Sequence, residues 1–222
     1  MELDEILKDM RTRCRMAMNG IASASMREKG IEYKLNFGLV IQQIKDIAGR
    51  HTPDIELAER LWKEDTRELR ILATMMYPID QCTPETANRW ATEIKNQEIR
   101  EQVCLNFFQE LPFATQLALD WANDEQEDLR TTGYWLLVRL FLAKKVKSLI
   151  VSDYLKRVVE DAASENIFLR NAATLSLKHL GRQSQEESQV ILEKLAAYKN
   201  NTDPLKAEVY NSVAFEFQYF FG

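Results

Sequence analysis

Four arginines recur inside a repeated phrase, and cations at a regular spacing suit a long polyanion. The phrase reads Leu69-Arg70-Ile71-Leu72-Ala73, then Ile99-Arg100-Glu101-Gln102-Val103, then Leu129-Arg130-Thr131-Thr132-Gly133, then Leu169-Arg170-Asn171-Ala172-Ala173. The arginines are 30, 30 and 40 residues apart. Five positions before the arginine stands an acid in three copies, Asp65, Glu125 and Glu165, and Lys95 in the other. A basic strip of Arg100, Arg130, Arg170 and Lys178 on a concave face would hold DNA phosphates, with binding that weakens steeply with salt. The same arginines can instead bond to neighbouring loops or carboxylates. For Arg130 both roles stay open. Arg100 with Lys95 or Glu98 is read as an ordinary surface cluster beside Glu101.

Other chemistry lacks its parts. There is no GxGxxG, Walker loop, nucleophile elbow or HExxH. The two histidines, His51 and His179, join no group with metal spacing, so neither metal nor cofactor is expected. His179 beside Gly181 reads as a cation complementing a helix end. Cys14, Cys82 and Cys104 are scattered and odd in number, which suits a reduced, cytoplasmic compartment. No apolar run is long enough for a membrane span, and the acidic opening Met1-Glu2-Leu3-Asp4-Glu5 is no secretory signal. The net charge of −5 argues mildly against a surface coated with nucleic-acid-binding charge, but distribution matters more than the sum.

The elements that must position these residues are helices. Only 7 Gly and 5 Pro stand among 222 residues, too few for a turn-rich β fold. Hydrophobic residues at 45% and charged residues at 28% are ordinary for a globular chain. Apolar residues recur with helical period in paired segments. Thr83-Pro84-Glu85 marks a helix start, and further starts are read at Pro53-Asp54, Pro112, about Glu125, Ser148, Asn166, Glu186 and Pro204. The segment Glu186–Lys199 is read as one helix. A phrase recurring every 30 to 40 residues marks a repeat array, whose units bury their apolar faces only by stacking. The expected fold is therefore all-α: a superhelical array of antiparallel HEAT/ARM-like helix pairs in one domain, 1-222.

Several segments resemble the AlkD-type DNA alkylation repair family of HEAT-like proteins. They include Asn36-Phe37-Gly38 through Ile47-Ala48-Gly49, Ala58-Glu59-Arg60-Leu61-Trp62, and Glu68 through Met75. Thr83-Pro84-Glu85 with Trp90-Ala91, Glu101 through Cys104, Leu129-Arg130 with Gly133, and Phe168 through Ala173 continue the likeness, which spans about residues 20 to 185. The resemblance implies excision of N3- and N7-alkylated purines without base flipping. In that mechanism a carboxylate and tryptophans lie against the lesion's deoxyribose and stabilise its cationic transition state. The family's catalytic Asp falls on Glu101, one methylene longer. Its two tryptophans fall on Gln97 and Leu175, and a tyrosine falls near Lys29. A phosphate-contacting arginine falls on Arg130, and a later basic position on Lys178. Two lost π-faces, at about 1–2 kcal/mol each, would slow such a reaction roughly tenfold to a few hundredfold.

Three functions follow as expectations: a divergent alkylpurine glycosylase using Glu101, a DNA-binding relative that has lost excision, and a HEAT-type protein-interaction scaffold. The expected partner is the phosphate backbone of duplex DNA, with a protein partner as the alternative and no membrane. Trp62, Trp90, Trp121 and Trp135 sit on apolar stripes, where core packing is the better reading for most. The run Lys144-Lys145-Val146-Lys147 reads as a solvated helix end. The aromatic C-terminus, Phe215, Phe217, Tyr219, Phe220 and Phe221, reads as a cap on the last repeat or a homodimer contact.

Overall fold

The computed structural model describes residues 3–146 and 152–222, and helices dominate them. In order they are α1 (Leu3–Met16), α2 (Gly20–Glu28), α3 (Ile41–Ala48), α4 (Ile55–Trp62), α5 (Arg67–Met76), α6 (Pro84–Thr92) and α7 (Gln97–Asn106). Then come α8 (Ala114–Ala122), α9 (Glu127–Leu142), α10 (Ser152–Asp161), α11 (Ile167–Gly181), α12 (Gln185–Lys194) and α13 (Pro204–Phe221). The helix start expected at Ser148, and Lys147 of the basic run, lie outside the described residues. The chain divides into two compact units: residues up to 87 with 94–111, and 88–93 with 112–222.

The repeat has a structural register. Loops 63–66, 93–96 and 123–126 precede α5, α7 and α9, and loop 162–166 precedes α11. In each of these four helices the phrase supplies the third and fourth residues. The third is always a buried apolar anchor: Leu69, Ile99, Leu129 or Leu169. Asparagine caps two of the helices, Asn96 accepting from Ile99 N at 3.0 Å and Asn166 from Phe168 N at 3.1 Å. Such caps satisfy amides the helix itself leaves without partners.

In the first unit α5 packs on α3, α4 and α7, and only Met75 of its ten residues escapes burial. Two adjacent charges at its start explain why the segment Asn36–Leu39 lies where it does. Buried Glu68 accepts from Phe37 N at 3.0 Å and Leu39 N at 3.2 Å. Arg67 donates to Leu39 O at 2.8 Å, to Glu68 at 2.9 Å, and to both oxygens of Glu98 through Nε at 3.0 and 2.9 Å. Burial penalises the Arg67 cation, but the bonds to Glu98 and Glu68 outweigh that and raise its pKa. Glu98, read from its position as a surface group, therefore serves the buried Arg67 cluster. Gly38 turns with φ +75°, and a side chain there would meet Ser23 N at 2.7 Å. Only glycine fits such a turn without strain.

In the second unit α9 packs between α8 and α11, and α11 also contacts α10, α12 and α13. Gly133 lets α9 approach α8: an added Cβ would lie 2.5 Å from Ala122 N and 2.8 Å from Ala118 O. Helix α8 begins at Ala114, after a turn at Pro112-Phe113 rather than at the proline itself. The expected helix Glu186–Lys199 is broken. Leu195 is buried, a 3-10 turn follows, and the Tyr198 hydroxyl ties that turn to Val159 O at 3.1 Å. Along α13, Phe217 is buried and lies over Gly181, while Phe215, Tyr219 and Phe220 face outward.

Candidate functional site

The repeat arginines do not share one role. Arg130 is 7% exposed, and its guanidinium is fully engaged. Nε and Nη2 donate to Asp161 at 2.8 and 3.2 Å, and Nη1 donates to the carbonyls of Asp124 and Glu125 at 3.1 and 2.8 Å. The Tyr134 hydroxyl donates to the same Asp161 at 2.7 Å. Burial, and then the neighbouring Asp161 charge, hold that phenol far above its usual range. Desolvation opposes the Arg130 cation, but the Asp161 bond prevails and its pKa is raised. Arg170 repeats half of this arrangement. Its Nη1 donates to Ser164 O at 2.6 Å and Glu165 O at 3.2 Å, again six and five positions earlier. The repeat arginine is thus a staple across the preceding loop in these two copies. The acceptor five positions back is a backbone carbonyl, not the acidic side chain.

The other two copies differ. Buried Arg70 lies over the Trp62 ring, 5.2 Å from its centroid. Arg100 is 4% exposed and donates to Gln97 Oε1 at 2.8 Å. Gln97 in turn donates to Glu101 Oε1 at 3.0 Å. Glu101 is half-buried, so one oxygen of its carboxylate is fixed by an amide one helical turn earlier. Lys29 is exposed at the end of α2. Of the expected strip, Arg100 and Arg130 are therefore buried, while Arg170 and Lys178 are half-buried.

Those last two cations line a single cavity of about 340 Å³ in the second unit. Trp135 of α9, Asn171 and Leu175 of α11, and Glu208 of α13 line it with them. Arg130 does not. Trp62, Trp90 and Trp121 are at most 3% exposed, as core residues are, whereas Trp135 is half-buried. Lys178 lies 3.7 Å from Glu216, which also pairs with Arg182. The Arg182 bond lowers the pKa of Glu216. His179, on the same helix, is buried, and desolvation followed by the Arg182 charge lowers its pKa. It therefore favours the neutral form, contrary to the expectation of a dipole-complementing cation.

Reactive groups are otherwise muted. Burial pushes the Cys14 thiol up to about 12 and the Cys82 thiol to about 11, so neither is a ready thiolate at neutral pH. Among the described residues no group of three or more His, Cys, Asp or Glu is placed to hold a metal ion. No described helix is long and apolar enough to cross a membrane.

A profile of the family described as DNA alkylation repair enzyme matches residues 15–209. The chain belongs to that family. It is also similar to a solved protein described as "A new family of proteins related to the HEAT-like repeat DNA glycosylases with affinity for branched DNA structures". The TM-score is 0.73, and the alignment covers 99% of this chain and 95% of the other at 13% sequence identity. That likeness shows the all-helical HEAT-like fold. No curated protein matches the sequence. For a member of the alkylation repair family, the features that residue patterns alone did not single out are the cavity beside Trp135, Asp161 beneath Arg130, and the Arg67–Glu68–Glu98 cluster.

Proposed function

We propose that this member of the alkylation repair family is a DNA-binding protein, holding the phosphate backbone of duplex and branched DNA without efficient base excision. The observation that carries the reading is the Gln97–Glu101 bond at 3.0 Å. Where the family resemblance expects an aromatic face one turn before the catalytic carboxylate, an amide holds that carboxylate instead. Excision of a cationic lesion needs π and charge stabilisation aimed at the sugar. An amide supplies neither. Arg170, Lys178 and Lys29 have the exposure to meet phosphates. Arg130 and Arg100 act on DNA indirectly, by fixing the loop and the side chain they bond. The likeness to a protein described as having affinity for branched DNA extends the reading from duplex to junctions.

One observation favours a second reading, slow glycosylase action. Glu101 is half-buried and preorganised by Gln97, and fixed geometry is what a catalytic carboxylate requires. The test has two arms. A fully paired four-way junction and a linear duplex of equal length compete for the protein, and excision of N7-methylguanine and N3-methyladenine is followed on methylated duplex. Binding without release supports the proposal. Release by the native chain that is lost in Glu101→Gln supports the second reading. Absence of binding to either DNA contradicts both.

A further inference from the structure

We infer that the cavity of the second unit is a receptor for one unpaired nucleobase of a DNA strand, stacked on Trp135. The inference rests on the DNA-binding reading above and adds a site to it. Its first support is the tryptophan itself. Three of the four are sealed in the core, and the fourth gives part of its surface to a cavity. A half-buried indole beside open space offers a face on which any base can stack.

The second support is size and lining. About 340 Å³ lies at the small end of the roughly 300–1,000 Å³ range of ligand pockets, which suits one ring system and not a base pair. Leu175, Leu205 and Val209 supply an apolar floor. The third support is charge. Arg170 and Lys178 stand in the lining, where they meet the phosphates flanking an inserted base. Arg170 uses Nη1 on loop carbonyls and makes no ion pair among the described residues, which leaves the rest of its guanidinium for a phosphate. Glu208, an acceptor only, and Asn171 face the same space. A carboxylate in that position favours bases with an exocyclic amine, such as cytosine or adenine, over thymine.

The test uses intrinsic fluorescence, because Trp135 is the tryptophan that a ligand can reach. The full-length protein is titrated with a duplex bearing a short single-stranded gap of cytosines or adenines, with the fully paired duplex, and with dCMP or dAMP alone. Trp135→Phe keeps an aromatic face and removes the reporter; Trp135→Leu removes the face. Circular dichroism melting checks that each variant is folded. The expected result is quenching by gapped DNA, little quenching by paired duplex, and none in Trp135→Phe, which still binds. Trp135→Leu is expected to bind gapped DNA about 5- to 100-fold more weakly, with paired-duplex affinity unchanged. Gapped DNA bound equally by native protein and folded Trp135→Leu, without quenching, would overturn the receptor and leave the DNA-binding reading standing. Equal affinity for free mononucleotide and gapped DNA would overturn a strand-borne base as the ligand. Failure to bind any DNA would overturn both readings.

Discussion

At the residue scale, the Arg130–Asp161 pair separates holding the fold from holding a ligand. Asp161 is 7% exposed and serves Arg130 and Tyr134 together. Removing one partner of a buried ion pair leaves the other charge uncompensated, at a cost of about 3–5 kcal/mol. Asp161→Ala is therefore expected to lose about that much stability, read as a shift in urea midpoint. An unchanged midpoint would mean that the pair is solvated. The sequence leaves this role open for the arginine but does not name its partners. Its acceptors are backbone carbonyls and a carboxylate 31 residues further on, and neither leaves a local pattern. Trp135 is illegible for a related reason. Its place on an apolar stripe says core, and only the arrangement of α11 and α13 beside it leaves the ring half open.

At the element scale, the helices of the array are legible because apolar period, asparagine and aspartate caps, and short loops agree with one another. The phrase copies mark α5, α7, α9 and α11 at one register. What local pattern misses is set by distant contacts: the break after Lys194 depends on Leu195 burial and on Tyr198 reaching Val159. Gly133 shows how tightly two helices meet. A methyl there would overlap the backbone of α8, and backbone cannot rotate aside as a side chain can. Gly133→Ala is expected to destabilise by about 1–3 kcal/mol, the usual cost of overpacking, despite alanine's better helix propensity. Thermal melting checks this, and an alanine variant as stable as the native chain would rule out so close an approach.

At the scale of the whole molecule, acid should weaken the fold through the α11–α13 region. The folded-state pKa of His179 is depressed, so the unfolded chain binds more protons below about 6.5 and stability falls as pH drops through that range. Glu216 is depressed too, by its bond to Arg182. Its contribution is present above its ordinary value near 4.5 and is lost as pH falls below it. Both act in the same direction. The melting temperature should therefore decline from pH 7.5 to 6 and further toward 4, and His179→Gln should flatten the first part of that decline. A melting temperature that rises on acidification would contradict the assignment.

The central claim, that the protein holds DNA by its phosphates, is tested most directly by the salt dependence of binding to a four-way junction. Each phosphate contact adds about 0.9 to the slope of log affinity against log salt. The native chain should show a steep negative slope, and the Arg170→Ala/Lys178→Ala double variant a slope shallower by roughly 2. No binding at low salt, or binding indifferent to salt, would contradict the claim.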